Sequence, residues 1–271
     1  MVFNGIKTIY SIKLANAKTV GIPYKLLPNT TLNEKFNILV TKSNQALPEY
    51  PILNLLTIGV NENSGDTSSL TRLNLIRSKH RPTDAALFKH IPFYLRPIDE
   101  VEAYPPSKNI RLKTKISIQG KDYLAGYGYI INDVDYKDDI LIYNSISEEY
   151  VSVTKLDTTT NDLLNPVPID DLHMTLNDNT YITDFLKIHI YLTKTELLEI
   201  KNAMDILFGD TPLITELGLC NSIPTILDNG SGECYATQVA YFVDSNININ
   251  DTIDEGKLEF YIDVGGMDIE I

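Results

Sequence analysis

The sequence predicts a mainly β chain with one principal helix, an α+β arrangement. Three observations carry this. Apolar runs of strand length recur along the chain, prolines interrupt the first fifty residues, and one capped 3.6-residue pattern lies near residues 193–208. The expected architecture is an antiparallel sheet or sandwich bearing the helix, preceded by an extended N-terminal arm.

Residues 1–50 form the expected arm. Tyr10-Ser11-Ile12-Lys13-Leu14 alternates as a half-buried strand does, and Pro23, Pro28 and Pro48 forbid a long helix. Residues 51–154 read as a β-rich domain with a basic segment. Within it, Pro51 to Val60 is almost wholly apolar, as a strand covered on both faces would be. Asp84 to His90 suggests a short helix capped by Thr83 and ended by Pro92. A hairpin is expected from Arg111 to Ile131, turning at Gln119-Gly120-Lys121. Asp133 to Asp139 reads as a solvated turn. Its alternate carboxylates resemble the start of a calcium loop, but the turn glycine and the distal glutamate are absent.

Residues 155–182 are rich in Asp, Asn, Thr and Pro and read as a polar loop. Residues 183–271 form the expected C-terminal α+β docking domain. Phe185–Leu192 is a strand, and Thr193 or Thr195 opens a helix, with Glu196 completing a capping box for Thr193. Leu197, Ile200, Met204, Leu207 and Phe208 share one helical face, and Gly209 ends it. Strands follow at Leu213–Leu219, Ala236–Val243 and Leu258–Val264.

The chain has 271 residues, 43% hydrophobic, with 16 Tyr and no Trp, and no apolar run reaches a membrane span. The first residues lack a basic stretch followed by an apolar block, so no secretory signal is expected. All five arginines fall between Arg72 and Arg111. Residues 1–115 hold 16 Lys+Arg against 8 Asp+Glu, whereas residues 116–271 hold 7 against 28. This split suggests a dipolar subunit that attracts neighbours head to tail. The net charge of −13 disfavours sequence-specific nucleic-acid binding.

Phosphate-cradling, dinucleotide, nucleophile-elbow and zinc-protease motifs are missing, so the chain is not expected to be an enzyme or to need a cofactor. His80, His90, His173 and His189 are too scattered for convergent zinc ligation and read as structural or surface residues. Cys220 and Cys234 flank an Asn-Gly turn, where they could face each other; a packed, reduced pair is expected. The alternative is a carbohydrate-binding or glycan-degrading protein, with Tyr127, Tyr129, Tyr136 and Tyr143 stacking on sugars.

Two stretches carry a family resemblance. Ile214-Thr215-Glu216-Leu217-Gly218-Leu219, a turn, and Glu233 through Phe242 resemble the attachment hairpin of tail-fibre and baseplate proteins of tailed bacteriophages. Ile58-Gly59-Val60, His80 to Phe88 and Ile91 to Pro97 are similar to virion structural proteins of contractile-tailed phages. The resemblance implies a non-enzymatic baseplate or neck subunit in a symmetric ring, assembled in the host bacterial cytoplasm and retained in the virion. Other tail proteins are the implied partners, with no membrane contact. The basic block and its aromatics, Arg72, Arg77, Arg81, Phe93, Tyr94, Arg96 and Arg111, are the expected interface.

Overall fold

A computed structural model describes residues 5–38, 49–61, 79–101, 107–131, 133–144, 149–152, 180–209, 213–226 and 232–265, with Leu47 and Pro105. Antiparallel sheet dominates. The chain divides into two compact units. The larger comprises Phe3–Asn132 and Ile190–Phe260; the smaller comprises Met1–Val2, Asp133–His189 and Tyr261–Ile271. The sequence-drawn boundaries do not follow this division, because strands far apart in the chain pair in one sheet.

The larger unit is built on an eight-stranded sheet. Its strands are β1 (Gly5–Lys7), β2 (Ile52–Val60), β3 (Lys89–Ile91), β4 (Tyr94–Pro97), β5 (Ile110–Ile118), β6 (Lys121–Ile130), β10 (Leu213–Ile226) and β11 (Gly232–Asn248). The order is β1-β11-β10-β2-β6-β4, with β3 on β2 and β5 on β6. β2 is central, and Asn54 through Val60 are all buried, as its apolar composition requires. The β5–β6 hairpin turns at Gln119 and Gly120, both at positive φ (51° and 80°), the backbone a two-residue hairpin favours.

The expected arm is instead part of this unit. Tyr10 to Leu14 lies in helix α1 (Ile9–Val20), not a strand. Thr8 caps it by accepting the Ser11 amide, and Gly21 closes it in the left-handed region at φ 66°. Tyr10, Leu14 and Ala17 are buried at helical spacing, a periodicity that competes with the strand alternation over the same residues. A short helix, α2 (Leu32–Lys35), follows behind a complete Thr31/Glu34 capping box.

A β-bulge anchors this region. Ala236 adopts φ 54° near a register shift between β10 and β11. Asn33, fully buried, donates Nδ2–H to the Cys234 carbonyl (2.9 Å), and its Oδ1 accepts the Thr237 amide (2.9 Å). One side chain thus satisfies two backbone groups near the bulge. Tyr24 donates to Gln238 Oε1 (2.6 Å), and Gln238 donates to Thr30 (2.6 Å).

Helix α3 (Lys194–Phe208) matches the sequence reading. Thr193 is its N-cap, with the Glu196 capping box formed, and Leu197, Ile200, Ala203 and Met204 are buried. Leu207 and Phe208 are half-buried. A further helix, α4 (Ile249–Glu255), lies before the last strand. The mainly β class therefore stands, but the helix is one of four among the described residues.

Most of a four-stranded sheet belongs to the smaller unit, ordered β12 (Lys257–Gly265), β9 (Thr180–Thr193), β7 (Asp133–Asn144), β8 (Glu149–Ser152). The acidic run 133–139 lies in β7 rather than a turn. Asp133 pairs with His189 and Asp135 with Lys187, and a register shift falls between Lys137 and Leu141. The expected polar loop lies outside the described residues except for its last three, which begin β9.

Asn33→Ala is expected to destabilise the protein by about 1–3 kcal/mol for each backbone group left unpaired. Equilibrium urea unfolding measures this. A loss well under 1 kcal/mol would mean that water replaces the side chain.

Candidate functional site

Two glycines open a trough on the central sheet. Glu216 pairs across β10 and β2 with Gly59, and Gly218 pairs with Thr57. A Cβ at Gly59 would fall 2.6 Å from Glu216 Oε1 and 2.9 Å from Leu87 Cδ1; one at Gly218 would fall 2.5 Å from Thr57 Oγ1. Only glycine lets the 79–91 segment approach so closely.

That segment delivers His80 to Glu216. Both are buried, and Nε2 lies 2.7 Å from Glu216 Oε2. The other ring nitrogen faces Asp84 Oδ2 at 3.3 Å, and Asp84 also accepts the Arg81 amide (2.9 Å). These bonds replace the helix expected at Asp84–His90; Lys89–Ile91 instead extends along β2. The His80 ring stacks on Phe242 at 3.8 Å, nearly parallel, with Phe88 at 4.4 Å. Glu216 Oε1 also accepts the Lys89 amide (3.4 Å).

His90 is buried nearby. Its Nε2 accepts the Leu87 amide (3.1 Å), so its proton sits on Nδ1. Phe36 and Tyr127 meet the ring edge-on. Burial first, then Lys35 and His80, lowers its pKa from 6.5 to about 3. His189 is half-buried on β9, and His173 lies outside the described residues. Among the described residues, no group of three or more His, Cys, Asp or Glu side chains is placed to hold a metal ion.

The expected interface divides. Arg72 and Arg77 lie outside the described residues, and Arg81 is exposed. Phe93 and Tyr94 are core residues, 1% and 0% exposed, which removes them from a docking surface. The Phe93 amide donates to the Gly126 carbonyl (2.7 Å), and the Tyr94 ring covers Gly126 where any Cβ would collide. Arg96 pairs with Glu199 on α3. Arg111 lies against Gly232, and its charge acts on Lys113 and Cys234. These two arginines therefore serve contacts inside the subunit. Glu199, Gly232 and Cys234 lie more than a hundred residues further along the chain, which sequence proximity does not reveal.

Cys220 and Cys234 are both buried and unbonded. They do not face each other: Cys220 pairs with Val239, and Cys234 with Pro224. Burial pushes the Cys220 thiol up to about 12. Tyr127 stacks on Phe36 at 4.1 Å in the core, and Tyr129 is also buried, so neither offers a sugar platform. The side chains of Tyr136 and Tyr143 are outside the described set.

The charge split takes a different form in the fold. The smaller unit contains 3 Lys and 15 Asp+Glu, a net of −12; the larger contains 20 Lys+Arg and 21 Asp+Glu, a net of −1. The basic half of the sequence is interleaved with acids in the larger unit, so the acid excess belongs to the smaller one.

One groove lies between α3 and the β4 segment with its 3-10 turn (Ile98–Glu100). Its volume is about 530 Å³. Leu95, Pro97 and Ile206 supply apolar surface, while Arg96, Glu100, Glu199, Asn202 and Asp205 supply polar groups.

The fold and the trough define a mainly β α+β protein whose buried polar cluster joins distant segments. Residues 4–268 match the family of unknown function DUF7208, and the chain belongs to that family. No curated protein and no solved structure matches it.

His80→Ala is expected to cost about 3–5 kcal/mol, because a buried acid loses its partner. A shift in denaturation midpoint worth less than about 1 kcal/mol would show that Glu216 is satisfied without the ring.

His90 makes a pH prediction. Its folded pKa, about 3, lies below the unfolded 6.5, so the unfolded state takes up the proton first as pH falls. Its stabilising contribution is complete above pH 6.5 and is lost progressively towards pH 3. Melting temperature against pH should fall less steeply in this window for His90→Gln; an unchanged acid slope would assign the loss to other groups.

Proposed function

We propose that this chain is a structural subunit of a contractile phage tail, in the baseplate or neck region, and that it works by packing against neighbouring subunits in a symmetric ring. One observation carries the reading. The two stretches resembling virion proteins lie more than a hundred residues apart, yet they form one packed cluster. His80 meets Glu216 and stacks on Phe242, and Leu87 sits over Gly59 and Gly218. Residues of the resemblance thus act together as a scaffold for the sheet.

The charge partition supports the same reading. A unit of net −12 offers basic neighbours a strong target. Charge complementarity of this kind speeds encounter with a basic neighbour and fixes its register.

Antibody labelling of phage particles encoding this chain tests the proposal. The chain should co-purify with isolated tails after the heads are removed, at a fixed number of copies per tail. Its presence only in the lysate, or only with the heads, would overturn the assignment to the tail.

A further inference from the structure

The α3–β4 groove has acids on both walls. Glu100 comes from the 3-10 turn after β4, and Glu199 and Asp205 come from α3. Apolar surface lies between them, from Pro97 on one side and Ile206 on the other. Ile206 is 42% exposed.

Two of the acids have local partners. Arg96 pairs with Glu199, and Lys201 pairs with Asp205 at 2.9 Å one helical turn away. The second pair is exposed, so an incoming arginine can displace the lysine at little cost. Glu100 has no ion-pair partner among the described residues. The groove therefore suits an occupant with arginines flanking aliphatic side chains.

The chain's own sequence contains one such segment. Residues 70–79 read Leu-Thr-Arg-Leu-Asn-Leu-Ile-Arg-Ser-Lys, with three cations and no acid. Leu73, Leu75 and Ile76 lie between Arg72 and Arg77.

We propose that the α3–β4 groove of one subunit receives residues 70–79 of a neighbouring copy. Arg72 and Arg77 meet the acidic walls, and the intervening aliphatics cover Pro97 and Ile206. Groove and segment are different surfaces, so the contact is head to tail and can close a ring. The inference rests on the assembly reading above and names the contact that would join copies.

Two charge-reversed full-length variants test it. Glu100→Lys/Asp205→Lys changes two exposed groove residues, and Arg72→Glu/Arg77→Glu changes the segment. Sedimentation velocity should show concentration-dependent self-association of the parent chain, lost in each variant at unchanged melting temperature. An equimolar mixture of the two variants should associate again, because the native segment of one then meets the native groove of the other, and reversed segment meets reversed groove. A labelled peptide of residues 68–79 should bind the parent protein and bind the groove variant at least about tenfold more weakly.

Association that persists in either variant overturns the proposal. So does a mixture that stays monomeric, which would place the contact within one chain. Equal binding of a scrambled peptide would reduce the effect to general attraction by the acidic unit, and also overturns it. A chain found in tails whose variants behave in these ways would leave the tail reading intact while the groove contact fails. A chain absent from tails whose variants still show the charge-swap rescue would do the reverse.

Discussion

A carboxylate in the middle of a sheet must be answered by its surroundings. Glu216 lies on β10 at 1% exposure, and removing a charged group from water is costly unless partners replace the water. The chain answers with His80 and the Lys89 amide, both from a segment more than a hundred residues earlier. Satisfying one acid therefore fixes where the 79–91 segment lies, where β3 joins β2, and which face of β11 receives an aromatic ring. Gly59 belongs to the same solution, since a Cβ there would collide with Glu216, the Lys89 carbonyl and Leu87, and Gly218 lets Thr57 of the neighbouring strand sit close. Removing one partner of such a pair is costly, because the other is left buried without compensation.

The N-terminal region obeys the same logic at the far end of the sheet. A bulge in β11 frees backbone groups that water cannot reach, and Asn33 supplies both partners. Tyr24, Thr30 and Gln238 extend the network. The first helix is tied down too, through the Ile9 amide to the Pro82 carbonyl (2.8 Å) and the Tyr10 hydroxyl to the Thr83 carbonyl (2.6 Å). The segment carrying His80 is thus held between the sheet and the N-terminal helix. Disturbance of the Glu216 cluster will therefore be felt at both ends of the larger unit.

With these elements used internally, assembly has to draw on what remains at the surface. Phe93, Tyr94, Arg96 and Arg111 are committed to the subunit's own packing and ion pairs. The acid excess of the smaller unit and the groove beside α3 are the features that charge can address from outside. In such surroundings arginine is the fitting partner residue, because its planar fork binds carboxylates bidentately and desolvates readily.

The sequence by itself determined the local elements whose signals lie within a few residues. Helix α3 was legible from Thr193, Glu196 and Gly209, because capping and helical periodicity are short-range effects. The β5–β6 turn and the doubly covered β2 were legible for the same reason. Tyr10–Leu14 misled because five residues fit both a strand and a helix, and the deciding contacts come from β11 and Thr83. Asp84 had the pattern of a helix start, but its carboxylate is taken by His80 and the Arg81 amide. Only the tertiary structure decided that Glu216 meets His80, that Tyr94 fills the space over Gly126, and that the acid excess collects in one unit. Those outcomes depend on strand pairings between distant residues, and the free energy of a long-range pair leaves no local trace in composition or spacing.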